Sequence, residues 1–397
     1  MSQTESTLAG RPEYQWAWMA LAAAGILVRV WLWWISVGSN DVFAAQLHAQ
    51  RILAFGMAHS YQIRAAQHYN HPPLMGLLMV KFWLWSGGDL MTFARLSKLP
   101  GLAGEALSLW CLWRFAGLRT FAIYACLPAA ILVSSFHGNT DCLYAAFVLV
   151  AAVAFDRKQY FLSGTLWAAA LNVKLIPLVL LPLVLIGAPD RKALKALVAG
   201  LALGIVPFLP TLLQVPADMW RSMLAYNSIA ENWGLLAILN PGVGIANLAG
   251  VFVPVRDWYI ANGRYVILLA ITGVALLSRF RRRMPMTEQA AIGGALFLVL
   301  APGFGLQYVV LVAPVLCLAD LAAGVRWGWL SGLFLGLVYW SFMIWWATLR
   351  SLHTTLFPGP AAGVGLLAWA VLVHFCAVHL WSAWKLGKPA PPELTAP

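Results

Sequence analysis

Apolar runs of about twenty residues recur along this chain, and no other feature constrains its fold as much. A helix rises about 1.5 Å per residue, so roughly 20 mainly apolar residues carry it across bilayer hydrocarbon. Hydrophobic residues make up 61% of the 397 and charged residues 10%, far below the charged share of about a quarter usual in soluble domains. The chain is therefore expected to be all-α, a polytopic transmembrane helical bundle. Residues 15–384 form one membrane domain, between an N-terminal tail (1–14) and a proline-rich, disordered C-terminal tail (385–397).

Twelve segments fit as spans: Gln15–Val37, Leu96–Trp113, Thr120–Phe136, Cys142–Phe155, Tyr160–Asn172, Leu175–Gly187, Ala193–Leu213, Tyr265–Phe280, Gln289–Gly303, Tyr308–Leu321, Trp327–Ala347 and Ala361–Trp384. Leu74–Trp85 is too short to cross and is expected to lie flat in the outer interface. Counting it as a span would put Arg279-Phe280-Arg281-Arg282-Arg283 outside, against the tendency of basic loops to stay in the cytoplasm. Both termini then lie inside, and the same tendency explains most of the net charge of +12 without nucleic acid. Met1–Tyr14 is polar and the first apolar run has no clear small-residue cleavage site, so that run is read as the first helix. The five cysteines (Cys111, Cys126, Cys142, Cys317, Cys376) are odd in number and widely spaced. They read as packing residues, with neither metal spacing nor a disulfide framework.

Two outer segments are long, 38–95 and 214–264, while the inner loops are minimal. Polar groups held by loops on a rigid scaffold commonly carry function, so chemistry is expected on the outer face. Asp41, just beyond the first helix, could take a proton from an acceptor hydroxyl, or could serve as a helix N-cap beside Ser39 and Asn40. His137, Asn139 and Asp141, in Ser134-Ser135-Phe136-His137-Gly138-Asn139-Thr140-Asp141, could hydrogen-bond a sugar or form a capped turn. Gln159–Pro189 is too long for one crossing and short for two, so a tight hairpin turning near Asn172–Lys174 is expected. It delivers the Lys174 ammonium to the outer half of the membrane, where a lipid phosphate is the available anion; snorkelling to headgroups is the plainer alternative. Tyr69, Asn70 and His71 precede a rigid diproline, Arg95, Lys98 and Glu105 continue a charged thread, and Gln307 and Tyr308 follow a glycine-rich turn. Glu105 is expected to pair with Lys98 or Arg95.

The order of these signals resembles the GT-C superfamily of integral membrane glycosyltransferases. It rests on Ser39-Asn40-Asp41 after the first helix, Tyr69-Asn70-His71-Pro72-Pro73-Leu74, Arg95-Leu96-Ser97-Lys98-Leu99-Pro100, His137-Gly138-Asn139-Thr140-Asp141, Asn172-Val173-Lys174-Leu175-Ile176-Pro177 and Phe304-Gly305-Leu306-Gln307-Tyr308. Within it the chain is most similar to bacterial polyprenol-phosphate-mannose-dependent mannosyltransferases and to the mannosyltransferase that begins glycolipid-anchor assembly.

The resemblance implies transfer of a hexose, mannose first, from a polyprenyl-phosphate sugar to a lipid-linked or cell-envelope acceptor with inversion. Asp41 takes the place of the first-loop catalytic acid. Lys174, Arg64, Arg95 and His71 are candidates for the donor phosphate, and His137, Asn139, Asp141, Tyr69, Asn70, Gln307 and Tyr308 for sugar or acceptor. Many members carry paired acids where this chain has Asp41 alone, so no divalent metal or other cofactor is expected. The implied partners are the lipid-linked donor, the acceptor and membrane lipids, at a bacterial inner membrane with the site on its extracytoplasmic face. A secondary transporter or flippase for a lipid-linked sugar is the alternative, with Arg29 and Glu105 as intramembrane coupling residues; a non-catalytic scaffold is a third.

Overall fold

The computed structural model describes residues 12–63, 69–223, 233–243, 249–348 and 359–386, the side chains of 12–14, 240–249, 341–348, 359–360 and 386 excepted. Helix α1 (Pro12–Ile35) leads through a short loop to α2 (Asn40–Phe55), α3 (Met57–Gln62) and the 13-residue α4 (Pro73–Trp85). Next comes α5 (Leu90–Ala125), then α6 (Pro128–Ile131), which runs into a π-helical turn (Leu132–His137). The chain bends by 72° between α5 and the Pro128–His137 segment. Within α5 the chain kinks at Gly117, whose φ of 84° suits glycine.

Helices α7 (Asp141–Asp156) and α8 (Tyr160–Val173) form an antiparallel pair, and a 3-10 segment (Ile176–Leu180) joins α8 to α9 (Leu181–Gly187). The hairpin thus turns at Lys174, whose backbone is extended. α10 (Arg191–Ala202), a 3-10 segment (Leu203–Phe208) and α11 (Leu209–Gln214) follow, and then α12 (Pro216–Met223) and α13 (Leu235–Val243). The bundle closes with α14 (Ala249–Phe280), α15 (Met286–Leu300), a 3-10 turn (Leu306–Val310), α16 (Ala313–Ala319), α17 (Leu321–Thr348) and α18 (Gly359–Leu386).

Among the described residues, five helices are long and apolar enough to cross a membrane, or six if the bent pair is one span. All twelve expected segments fall on helical chain, but several are broken or short. The second outer segment is in part helical and continuous with the expected span that follows it. Residues 249–264 belong to a single 32-residue helix. At about 1.5 Å per residue such a helix is some 48 Å long, well beyond a hydrocarbon core of about 30 Å. The charges at Arg256, Asp257 and Arg264 end the apolar run in sequence, yet leave the backbone free to continue as a helix outside the hydrocarbon.

The core gathers around α5, α7, α15, α16 and α17. α7 contributes Ala145, Ala146, Ala151 and Ala152, all buried. Without a water-driven hydrophobic effect between membrane helices, close backbone approach through small residues supplies the packing. Gly104 shows this on the other side, since a Cβ there would run into the Cys142 backbone of α7.

The expected partner of Glu105 is corrected. Its Oε2 accepts from Arg29 Nη2 at 3.0 Å and its Oε1 from the Tyr124 hydroxyl at 3.0 Å. Both side chains of the pair are at least 96% enclosed, and Arg29 also donates to the Ala125 carbonyl. A buried charge must find its opposite, and Tyr124 and Ala125, beyond the Gly117 kink of α5, meet the Arg29 of α1. Lys98, fully buried, instead donates to Ser36, bracing the loop after α1.

At the far end of the bundle, Asp156 of α7 accepts from the Met286 and Thr287 amides and the Thr287 hydroxyl, capping α15 from a neighbouring helix. At the near end, the Trp233 and Trp369 indoles and the Tyr259 hydroxyl donate to Leu298, Val299 and Leu300 carbonyls. These satisfy the open carbonyls of the C-terminus of α15, just before the chain reaches the cavity described next.

Candidate active site

Ser39 is the N-cap of α2: its Oγ accepts from the Asp41 amide at 3.2 Å and donates to the His137 carbonyl at 2.9 Å. Because Ser39 caps the helix, the Asp41 carboxylate is left for other work. The Ser39 amide also donates to the His137 carbonyl at 3.0 Å. Gly38, at φ 110°, lies close against the carbonyls of Phe136 and His137, and a Cβ there would collide with the Val42 side chain. The loop is thus stitched to the end of the π turn.

That turn, closed by Gly138 in the left-handed region, aims two residues at one oxygen. His137 Nε2 lies 3.0 Å from Asp41 Oδ2, and Asn139 Nδ2 donates to the same Oδ2. Asn139 Oδ1 accepts from the Asp141 amide at 3.1 Å. Asp141 is fully buried, and its Oδ1 and Oδ2 take bonds of 2.7 and 2.9 Å from Lys174 Nζ. The ammonium of Lys174 also lies 4.8 Å from the centre of the Tyr308 ring.

These groups meet at a cavity of about 650 Å³. Its polar lining includes Asp41, Asn70, His71, Lys174, Arg264 and Gln307, and Tyr308 also lines it. Around them lie apolar walls, with Met75, Leu78 and Met79 from α4 and Ile260, Ile267 and Leu268 from α14. The Asp41 side chain is 38% exposed. Enclosure pushes its carboxyl toward protonation, but the His137 ring, the Asn139 amide and the Lys174 charge outweigh this and hold it below the ordinary carboxylate range. It is therefore ionised at neutral pH.

Several expected site residues take other places. His137 and Asp141 are enclosed and committed to Asp41, Tyr339 and Lys174, so neither is presented to a sugar. Asn139 touches the cavity, with one amide hydrogen and one oxygen lone pair taken up by the bonds above. Tyr69 is 1% exposed and its hydroxyl donates to the Pro72 carbonyl at 2.7 Å, while Tyr61 does the same to the His71 carbonyl at 2.7 Å. Together they pin the turn that displays Asn70 and His71.

Burial, aided by the Lys174 charge, pushes the His71 imidazole down to about 3, so it reaches the cavity as a neutral hydrogen-bonding ring and not as a cation. Arg95 lies outside the cavity, its Nε on the Trp34 carbonyl at 3.0 Å and its guanidinium 3.8 Å over the Trp34 ring. A stacked arginine in the aromatic belt satisfies itself there. Arg64 lies outside the described residues.

No sequence motif marks Arg264 or Tyr339. Arg264 ends the second outer segment, 214–264, and a basic residue facing outward against the usual placement of positive charge is the available signal. Tyr339 sits inside an apolar run, where nothing separates it from a membrane aromatic.

The sequence model of glycosyltransferase family 87 matches residues 69–303, more than half of the chain. The chain belongs to glycosyltransferase family 87. It is thus an integral membrane glycosyltransferase, as the GT-C resemblance implied. The family 87 chain is also similar to two crystal structures of ArnT from Cupriavidus metallidurans, one bound to undecaprenyl phosphate and one in the apo state. Identities are 15% and 18%, coverage is 91% and 92% of this chain and 77% of ArnT, and the TM-score is 0.48 for each. No curated protein matches it. The match runs from Tyr69 through Gly303, so it includes Lys174 and Arg264 of the cavity but not Asp41.

Proposed function

We propose that this enzyme moves a hexose, mannose as first candidate, from a polyprenyl-phosphate sugar to a lipid-linked or cell-envelope acceptor, with inversion. One observation carries the reading: a single ionised carboxylate and two cations, Lys174 and Arg264, share one apolar-walled cavity. A phosphate ester with an isoprenoid tail asks for that combination of point charges and greasy wall. Asp41 is the base, Lys174 and Arg264 take the departing phosphate, and Asn70, His71, Gln307 and Tyr308 offer hydrogen bonds to sugar and acceptor.

In the step, the acceptor oxygen attacks the anomeric carbon and loses its proton to Asp41, while the bond from that carbon to the phosphate oxygen breaks and leaves its electron pair there. A carboxylate held below its usual range is a weak base. It serves because a hydroxyl turns strongly acidic once its oxygen bonds to carbon. One base on one face, with the phosphate opposite, suits a single in-line displacement. We place the cavity on the extracytoplasmic face, because the basic runs at Arg157-Lys158, Arg191-Lys192 and Arg279–Arg283 lie toward the other end of α7, α10 and α14.

The test is incubation of purified protein in lipid nanodiscs with labelled polyprenyl-phosphate mannose and an envelope lipid extract. A new, alkali-stable glycolipid of inverted anomeric configuration is expected. In sealed vesicles, label that crosses the bilayer with no new glycosidic bond would refute the reading in favour of a flippase.

A further inference from the structure

An ionised carboxylate only accepts hydrogen bonds. Since Asp41 is ionised and its Oδ2 lies 3.0 Å from His137 Nε2, that nitrogen carries the hydrogen. In a neutral imidazole the other nitrogen is then a bare acceptor. His137 Nδ1 lies 2.7 Å from the Tyr339 hydroxyl, which donates to it whenever the ring is neutral. Tyr339 comes from α17, 202 residues further along the chain, and is held there by its ring against Phe136 at 5.1 Å. Tyr339 and His137 are 8% and 4% exposed, so water does not compete for these bonds. Asn139 donates to the same Oδ2, while among the described residues no hydrogen bond reaches Oδ1.

We infer that Tyr339, His137 and Asn139 are positioning residues: the first two form a directed relay that fixes the ring tautomer, and together with Asn139 they saturate Oδ2 so that Oδ1 faces the reacting hydroxyl. The inference rests on the reading of Asp41 as the base. In the transfer step the acceptor's O–H bond breaks, Oδ1 receives the proton, and the relay protons stay where they are. Without the phenol, the imidazole is free to place its hydrogen on Nδ1, turning a lone pair toward the carboxylate. Oδ2 then meets repulsion and the carboxylate swings off its line.

The test is Tyr339→Phe in the full-length protein, assayed with labelled polyprenyl-phosphate mannose and envelope lipid extract. kcat is expected to fall about 10- to 100-fold, the range found for residues that orient metal ligands from behind, with donor KM unchanged. His137→Gln supplies an amide donor with no tautomer to fix, so adding Tyr339→Phe to it is expected to cost less than twofold. Should that background be too slow to measure, Asn139→Ala serves. It leaves His137 as the sole hold on Oδ2, and Tyr339→Phe is expected to cost more there than in the natural chain.

An equal factor in every background, a loss confined to KM, or full activity of Tyr339→Phe would overturn the relay. Full activity of Asp41→Asn would instead remove the base, and the proposed function with it. Loss of activity in Asp41→Asn alongside a neutral Tyr339→Phe would remove the relay only.

Discussion

Replacing Lys174 with methionine separates what its ammonium does for the fold from what it does for the donor. Asp141 is fully enclosed and takes two bonds from Lys174 Nζ, 2.7 and 2.9 Å long; its next partner, the Tyr144 hydroxyl, is at 3.5 Å. Removing one side of such a pair strands a buried charge and costs about 3–5 kcal/mol, whereas removing both is close to neutral. Lys174→Met is therefore expected to melt well below the natural protein, and Lys174→Met/Asp141→Asn to recover most of the loss.

Affinity for the lipid phosphate behaves differently. A hydrogen bond to a charged group is worth about 1.5–3 kcal/mol, so both variants are expected to bind undecaprenyl phosphate about ten- to a hundredfold more weakly. Thermal melting in detergent and a tryptophan-fluorescence titration read the two effects on the same samples. Restored binding in the double variant, or a natural melting temperature in Lys174→Met, would refute the assignment of Lys174 to both tasks.

Arg29→Met is expected to lower stability by about 3–5 kcal/mol by leaving Glu105 unpaired, and Arg29→Met/Glu105→Met by much less, measured by denaturation in mixed micelles. His71 titrates near 3 in the fold and near 6.5 when unfolded. The unfolded chain thus binds the extra proton between these values, and stability falls with acidity through that window by at most about 1.4 kcal/mol per pH unit. His71→Asn is expected to flatten that decline between pH 6.5 and 4, as melting curves across pH report. Arg264→Ala is expected to raise donor KM about tenfold or more with little change in stability, because the side chain lines the cavity from a helix that holds its place without it.

The sequence showed a great deal of this. Apolar runs located the helices because bilayer crossing imposes length and composition together, and the hairpin at Lys174 followed from arithmetic on Gln159–Pro189. Asp41 stood out as an acid just beyond the first helix, beside Ser39 and Asn40. Residue partnerships were not legible, because each joins elements distant in sequence: Arg29 with Glu105 across 76 positions, Tyr339 with His137 across 202. A motif such as His137-Gly138-Asn139-Thr140-Asp141 announces that polar groups gather, and says nothing of whether they face a ligand or each other. The π turn and Gly138 decide that, by turning His137 and Asn139 onto Asp41. Arg264 stayed hidden because its charge ended an apolar run that the backbone continues through.

The central claim is that Asp41 receives the acceptor's proton. Asp41→Asn keeps the shape and the polar contacts of the side chain but not its basicity. Its rate of sugar transfer from labelled polyprenyl-phosphate mannose, beside its affinity for undecaprenyl phosphate, is the direct measurement. The account requires transfer to fall by at least about a hundredfold, the contribution of a general base, with lipid-phosphate binding within a few-fold of natural. Transfer at the natural rate would contradict it.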